Sequence, residues 1–319
     1  MNATSTTDPS GALLTVRGLG VDIAGRGPFA AVRDVDLTVD AGESLALVGE
    51  SGSGKTVTAS AVAGLLPPNL TATGSVTFAG EELVGMPAAR RRELAGRHIG
   101  FVFQEPMSAL HPILTVGQQL SEALDAHFEL SRAQRRERIA ELLDLVGLGD
   151  GRDIARYRVG QLSGGMRQRV MIAMAISCRP RLLIADEPTT ALDVTLQKQV
   201  MGLLTSLQRQ LGLALVLITH DLAVVSETCE RVAVMYAGEL VETGRTRTVL
   251  HGPRHDYTRA LLEAIPRIGD TRRRLPTVAT TARDLRDERA LPADRRTPSR
   301  LVEEAPGHWV RRDGEGTDR

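Results

Sequence analysis

The stretch "GESGSGKT", residues 49–56, constrains this chain more than any other feature of its sequence. It fits the pattern G-x-x-x-x-G-K-[S/T] in full, and it lies between the apolar run "ESLALV" and the helical pattern "VTASAVAGLL". In such a loop, glycines let backbone N–H groups turn toward phosphate oxygens, the lysine adds a positive charge, and the last hydroxyl can bind Mg²⁺. We therefore predict a phosphate-binding loop formed by Gly49, Glu50, Ser51, Gly52, Ser53, Gly54, Lys55 and Thr56.

Short apolar runs alternate with amphipathic runs along the chain, which predicts an α/β fold with a mainly parallel sheet. The runs at 43–49, 181–188 and 213–221 are typical of buried strands that end in polar residues. The segment "RVAVMYAGELVETG", 231–244, predicts a hairpin around Gly238.

The domain organisation follows from changes in composition along the 319 residues. Helical periodicity over 116–148 predicts an inserted helical subdomain at about 105–180, within a nucleotide-binding domain at 11–268. From about 270 the chain is rich in charge and proline and poor in large apolar residues. Residues 269–319 are therefore expected to form a loosely ordered extension.

The overall composition limits the partners. The chain carries 39 basic and 39 acidic residues, so it shows no global basic footprint and we expect no nucleic-acid partner. Its two cysteines, Cys178 and Cys229, have no metal-type spacing and suit a reducing compartment. It has neither a signal-peptide pattern nor an apolar run of about eighteen residues, so work at a membrane would require a separate spanning subunit.

Polar side chains follow three of the predicted strands. Asp186 and Glu187 end "LLIADE", where Asp186 suits the outer coordination sphere of Mg²⁺ and Glu187 suits orienting or deprotonating a water. His220 follows "LALVLIT" and is expected to contact the γ-phosphate of a nucleotide. Gln104, after "FVF", has a carbonyl oxygen that can bind Mg²⁺ and hold the attacking water. The alternative for each is an ordinary polar residue at a strand terminus.

A second anion-binding helix start is predicted at "LSGGMRQRV", residues 162–170. Ser163, Gly164 and Gly165 stand in front of an amphipathic run, and helix N-termini built in this way bind anions. Unlike the loop at 49–56, this helix start has no lysine.

Together, "GESGSGKT", Gln104, "LSGGM", "LLIADE", "TTALD" and His220 resemble the ABC ATPase family in order and spacing, over residues 13 to about 268. The resemblance implies an α/β, P-loop NTPase fold of the ABC type, with a mainly parallel core sheet, an antiparallel β subdomain and an inserted helical subdomain. It implies ATP and Mg²⁺ as ligands, with Thr56 and Gln104 at the metal and Asp193 near the nucleotide, in the D-loop at 190–193.

The resemblance also accounts for the second helix start. ABC ATPases dimerise head to tail, with each ATP between the phosphate loop of one subunit and the signature motif of the other. By this resemblance, Ser163, Gly164 and Gly165 would contact ATP held by a partner subunit, so they need no lysine of their own.

Within that family, "FQEPMSALHPILTVGQQL" and "YTRALLEAIP" look like the oligopeptide and dipeptide importer ATPases. This implies a motor subunit, peripheral on the cytoplasmic face of the cell (inner) membrane. Its partners would be two transmembrane permease subunits, a second ABC ATPase subunit that is a paralogue or a second copy, and an extracytoplasmic substrate-binding protein. The segment "EPMSALHPIL" is then expected to line a groove for a helix of a membrane subunit.

Other functions stay open on the sequence. The same machinery imports nickel, glutathione or other small solutes, so peptide cargo is one of several choices. A soluble regulatory or repair ABC ATPase without a membrane partner is the alternative of a different class. An exporter motor is disfavoured by the "YTRALLEAIP" tail.

The sequence departs from the pattern of the oligopeptide and dipeptide importer ATPases at three places, and each departure leads to a prediction. The extension has no cysteine, so we predict no iron–sulfur cluster there. Ile23 stands where an aromatic residue usually stacks on adenine, so base stacking is expected either to be weak or to come from Phe29. "HDY" at 255–257 replaces the usual His-Pro-Tyr and is expected to loosen that turn.

Overall fold

The computed structural model describes residues 11–24, 30–149, 151–190, 192–264 and 299–313. Its strands are β1 Leu14–Ile23, β2 Ala30–Val39, β3 Ser44–Val48, β4 Leu70–Phe78, β5 Glu81–Glu82, β6 Ile99–Val102, β7 Leu182–Asp186, β8 Ala214–Thr219, β9 Arg231–Tyr236, β10 Glu239–Arg245, β11 Ser299–Ala305 and β12 His308–Asp313. Its helices are α1 Lys55–Ala63, α2 Ala88–Leu94, α3 Pro106–Ala109, α4 Val116–Asp125, α5 Arg132–Leu145, α6 Gly151–Ile154, α7 Gly164–Ile176, α8 Val194–Leu211, α9 Leu222–Thr228, α10 Thr246–His251 and α11 Asp256–Glu263. The described residues form two compact units, the first within 1–39, 44–84 and 219–319 and the second within 40–43 and 85–218.

The first unit contains an antiparallel sheet of order β2-β1-β4-β5 and a run of strands ordered β11-β12-β10-β9-β3. β3 pairs with β9 in parallel, with Leu45 opposite Arg231 and Val48 opposite Val234. Every residue of β3 is buried, as expected for a short apolar run covered on both faces. β9 and β10 form the hairpin that the sequence predicts around Gly238.

The second unit contains the parallel strands β8-β7-β6. Helices α3–α7 occupy the chain between β6 and β7, where the sequence predicts the inserted helical subdomain. α4 and α5 each begin at a capping box, because Thr115 and Ser131 accept the backbone N–H of a glutamine three residues on. Both helices contact α7 and each other, and their leucines Leu120, Leu124, Leu142 and Leu143 are buried, so these three helices form one cluster.

The C-terminal extension corrects one expectation. Residues 299–313 are not loosely ordered: β11 and β12 form an antiparallel hairpin, and β12 pairs with β10 through Val310 opposite Glu242. Composition missed this because the stretch holds few large apolar residues, yet Val310 is fully buried and the polar residues His308 and Arg311 are buried with it. The rest of the extension, 269–298 and 314–319, lies outside the described residues.

Each helix of the described residues is too short or too polar to cross a bilayer.

Candidate functional site

The loop at 49–56 leaves β3 and enters α1, and two of its positions accept only glycine. Gly49 has φ +153° and a Cβ there would lie 2.2 Å from the carbonyl oxygen of Met235. Gly54 has φ +104° and a Cβ there would lie 2.9 Å from the carbonyl oxygen of Ala31. The motif glycines are therefore required by close backbone approach within the first unit as well as by the phosphate that such a loop binds.

The Lys55 side chain lies inside this loop. Its Nζ donates to the carbonyl oxygens of Gly49 at 2.9 Å and Glu50 at 2.8 Å, and to Ser53 Oγ at 3.4 Å. Lys55 is buried, and it is the first residue of α1, so its charge adds to the positive end of the helix dipole. Thr56 follows it and is exposed. The loop thus presents one cation, a helix start and an exposed hydroxyl to an anion.

In the second unit, Glu187 lies at the centre of a polar cluster that also contains Gln104 and Thr190. It lies directly after β7 with φ +42°, a left-handed conformation that costs a non-glycine residue free energy and is often found at functional sites. Its Oε2 accepts hydrogen bonds from Gln104 Nε2 at 3.2 Å and Thr190 Oγ1 at 2.9 Å. The structure therefore brings Gln104 and Glu187 together, as their places after two adjacent parallel strands predict.

Thr190, the first residue of the predicted D-loop at 190–193, makes a contact with Glu187 that the motif alone does not indicate. It lies in the loop after Glu187, where a hydroxyl three residues from a strand-end acid was the only signal. Its bond fixes the carboxylate of Glu187 in one orientation, and its own backbone N–H donates to the carbonyl oxygen of Glu187 at 3.1 Å.

The groups expected to bind Mg²⁺ are of the chemical types that this hard cation prefers. Gln104 donates its amide nitrogen to Glu187, which leaves its carbonyl oxygen to face a ligand, and Gln104 is exposed. Asp186 is buried at the end of β7, and Thr56 offers a hydroxyl at the start of α1. A hydroxyl, an amide carbonyl and a carboxylate are the ligand types that Mg²⁺ prefers.

His220 is exposed one residue beyond β8, the strand beside β7. The strand before it is buried from Ala214 to Thr219, so the chain reaches solvent at this histidine. Thr219 Oγ1 accepts the N–H of Asp221 at 3.0 Å, which fixes the backbone on either side of His220.

The helix start at 163–165 has the expected form. Ser163 is the N-cap of α7, a helix of 13 residues, and its Oγ accepts the N–H of Met166 at 3.4 Å. Ser163 and Gly164 are exposed, and Gly165 is buried. The positive end of α7 is therefore open to an external anion.

Asp193, predicted to lie near the nucleotide, has a structural role as a helix cap. It is the N-cap of α8, and its Oδ1 accepts the N–H groups of Thr195 and Leu196, both at 2.9 Å. A contact between Asp193 and a nucleotide stays a prediction. Ile23, which replaces the usual aromatic residue at the adenine, is half-buried at the end of β1, and the candidate Phe29 lies outside the described residues.

The segment after Gln104 is rigidly built yet apolar on its surface. Gln119, buried on α4, accepts the N–H of His111 at 2.8 Å and donates to the carbonyl oxygens of His111 at 3.1 Å and Leu114 at 3.3 Å. On this segment Met107 and Ile113 are 53% and 69% exposed, and Phe103, which precedes Gln104, is 44% exposed. Several large apolar side chains exposed on one ordered segment are compatible with a protein interface.

Comparisons with known proteins decide the family. A model described as "ABC transporter" matches residues 32–190, and one described as "Oligopeptide/dipeptide transporter, C-terminal region" matches residues 241–290. The oligopeptide transport ATP-binding protein OppD of Salmonella typhimurium is 47% identical over 267 residues, which cover 83% of this chain and 80% of that protein. The chain belongs to the ABC transporter family.

Other ABC relatives agree. The dipeptide transport ATP-binding protein DppD of Escherichia coli is 47% identical over 269 residues, 84% of this chain and 82% of that protein. The DppD protein of Bacillus subtilis is 42% identical over 293 residues, 90% of this chain and 88% of that protein. The solved ATP-binding cassette MJ0796, in a dimeric post-hydrolysis state bound to ADP and Pi, has a TM-score of 0.65 and 29% identity over 73% of this chain and 99% of its own. The ABC ATPase fold class and the ATPase activity expected from the sequence are thus confirmed.

Proposed function

We propose that this ABC ATPase is the motor subunit of an importer of dipeptides or oligopeptides. It works on the cytoplasmic face of the cell membrane, with two permease subunits, a second ATPase subunit and an extracytoplasmic binding protein. The names and 42–47% identities of its relatives support the cargo class. The match of residues 241–290 to the oligopeptide/dipeptide C-terminal region supports it independently.

The loop at 49–56 binds the phosphates of ATP in this proposal. The N–H groups of Gly52, Ser53, Gly54 and the start of α1 face the phosphate oxygens, and Lys55 exchanges its carbonyl partners for them. Thr56 and Gln104 would hold Mg²⁺, with Asp186 in its outer sphere; bound there, the ion would neutralise phosphate charge.

Glu187 acts as the general base for the attacking water. Two donors hold its Oε2 in place, so the carboxylate meets the water in a fixed orientation, which favours proton transfer. His220 contacts the γ-phosphate. Ser163, Gly164 and Gly165 of one subunit contact the ATP of the other, so that ATP joins the two subunits and its hydrolysis releases them.

The observation that carries the transport function is the exposed apolar segment after Gln104. Hydrolysis alone needs no such surface, whereas a membrane subunit needs a rigid place to dock. Gln104 and Met107 are three residues apart, so a helix docked on this segment would sense the residue that contacts Glu187.

The test is assembly and transport in proteoliposomes with the permeases, second ATPase and binding protein of the proposed importer. Ile113→Asp should abolish assembly and peptide uptake while ATP binding by the isolated subunit stays unchanged. The matched control is Leu65→Asp, which places the same charge on a residue that is 41% exposed elsewhere on the surface. Uptake of nickel or glutathione instead of peptides would refute the cargo, and normal assembly of Ile113→Asp would refute the docking surface.

A further inference from the structure

The buried side chain of Tyr257 forms a hydrogen bond with the phosphate-binding loop. It is fully buried on the first turn of α11, and its hydroxyl accepts the backbone N–H of Glu50 at 3.0 Å. Its ring packs on that of Tyr236, with centroids 4.2 Å apart. All of these residues belong to the first compact unit. A side chain more than 200 positions away in sequence therefore fixes one peptide of the loop.

That peptide is linked to the loop's cation. The same peptide group carries the carbonyl oxygen of Gly49, which accepts Lys55 Nζ at 2.9 Å. The next peptide group carries the carbonyl oxygen of Glu50, which accepts Lys55 Nζ at 2.8 Å and the N–H of Ser53 at 3.2 Å. Glu50 therefore joins Tyr257 on one side to Lys55 and Ser53 on the other. A shift of the Glu50 peptide would move the lysine and the turn that face the phosphates.

Tyr257 is itself held by hydrogen bonds on its own turn. The N-cap of α11 is His255, whose Nδ1 accepts the N–H of Tyr257 at 3.1 Å. Asp256 between them forms an ion pair with Arg259 at 2.8 Å and lies in the first helical turn, where a negative charge is favourable. The "HDY" turn is thus held by a helix cap and an ion pair in the structure, and its looseness relative to a His-Pro-Tyr turn stays a prediction.

Glu242 connects this turn to the C-terminal hairpin. Its fully buried carboxylate accepts the N–H groups of Arg254 at 2.9 Å and His255 at 3.0 Å. On the same carboxylate, Oε1 lies 2.7 Å from Nε2 of His308, the first residue of β12. A buried carboxylate with several partners is strongly localised, because removing any one of them leaves charge unpaired.

We propose that Tyr257 is a positioning residue for the phosphate-binding loop, and that the C-terminal hairpin supports it through His308 and Glu242. The inference rests on the proposed ATP-binding role of residues 49–56. It gives the subfamily's extra C-terminal segment a function in the ATPase itself: ordering the loop that binds nucleotide. Neither Tyr257 nor His308 touches ATP in this scheme.

The first experiment removes only the hydroxyl. Tyr257→Phe in the full-length chain should raise the Kd for ATP about three- to tenfold, as expected for the loss of one hydrogen bond that orders the site. The matched control is Thr243→Val, which removes a buried hydroxyl that donates to the carbonyl oxygen of Val232 at 3.0 Å in the same unit. Its Kd for ATP should stay at the wild-type value, although both variants lose a little thermal stability. Equal Kd values for Tyr257→Phe and wild type would overturn the proposal.

The second experiment tests the connection to the hairpin. His308→Leu removes the donor to Glu242 and should raise the Kd for ATP, whereas His308→Gln keeps a nitrogen donor and should restore most of the affinity. If the hairpin acts through Tyr257, the double variant His308→Leu, Tyr257→Phe should bind ATP no more weakly than Tyr257→Phe alone. Independent, multiplying effects would overturn the connection.

An ATP titration of the Lys55→Ala variant distinguishes failure of the positioning role from failure of the phosphate-binding loop itself. If Lys55→Ala loses ATP affinity but Tyr257→Phe does not, the loop binds phosphate and only the positioning role fails. If neither variant loses affinity, the assignment of the phosphate-binding loop fails with it.

Discussion

The substitution Glu187→Gln isolates the chemical step from the structure of the site. The Oε2 atom of Glu187 accepts hydrogen bonds from Gln104 Nε2 at 3.2 Å and Thr190 Oγ1 at 2.9 Å. A glutamine can present its carbonyl oxygen to both donors, so the side chain should keep its place. What it loses is the ability to take a proton from water.

The expected effect on hydrolysis follows from that loss. Removal of a general base slows a reaction by about 10²- to 10⁴-fold, which corresponds to about 3–5 kcal/mol of activation free energy. Binding of ATP should be unchanged, so the variant should accumulate ATP-bound dimers. The positive φ of Glu187 is the same for both side chains and therefore contributes nothing to the difference.

Thr190→Val is the matched control. It keeps the base but removes one of its two donors, and a hydrogen bond to a charged group contributes about 1.5–3 kcal/mol at most. Turnover should therefore fall by less than in Glu187→Gln, because the carboxylate that accepts the proton is still present.

The assay is phosphate release by the assembled complex, together with nucleotide titration and size-exclusion chromatography of the ATP-bound state. If Glu187→Gln turns over near the wild-type rate, Glu187 is not the base. If it loses ATP affinity instead of turnover, the residue serves binding and the reasoning from its hydrogen bonds is refuted.

Four further outcomes are expected. Lys55→Ala should lose most ATP affinity in a nucleotide titration, and a wild-type Kd would contradict the phosphate-binding loop. Ser163→Arg should leave ATP affinity of the isolated monomer unchanged and abolish activity only in the complex; a tenfold loss in the monomer, about 1.4 kcal/mol, would contradict action on a partner's ATP. Deletion of 299–319 should lower the Tm, because burial of Val310 alone contributes about 1.5–3 kcal/mol, and an unchanged Tm would show that the hairpin packs weakly. A purified full-length chain should show no iron–sulfur absorbance, because no cysteine follows Cys229.

The sequence by itself determined the parts of this protein whose physics is local. A glycine-rich turn between a buried strand and a helix specifies a phosphate-binding loop because the backbone conformation and the lysine both lie within eight residues. The acids and the glutamine that follow apolar runs were found in the same way, because parallel strands bring their carboxyl ends to one edge. The serine at 163 was read as a helix cap from its neighbours alone, and the structure places it there.

The tertiary structure decided what depends on distant partners. Charge-rich residues 299–313 look unstructured by composition, yet they pair with β10, because strand pairing is fixed by an edge formed elsewhere in the chain. Thr190 lies within "TTALD" and Tyr257 begins "YTRALLEAIP", but these motifs do not give their hydrogen-bonding roles. Those roles, and that of His308, appear only when a carboxylate or a loop peptide is placed against them. A hydrogen bond depends on positions to within tenths of an ångström, and such positions are set by the packing of the whole unit, which no short stretch of sequence contains.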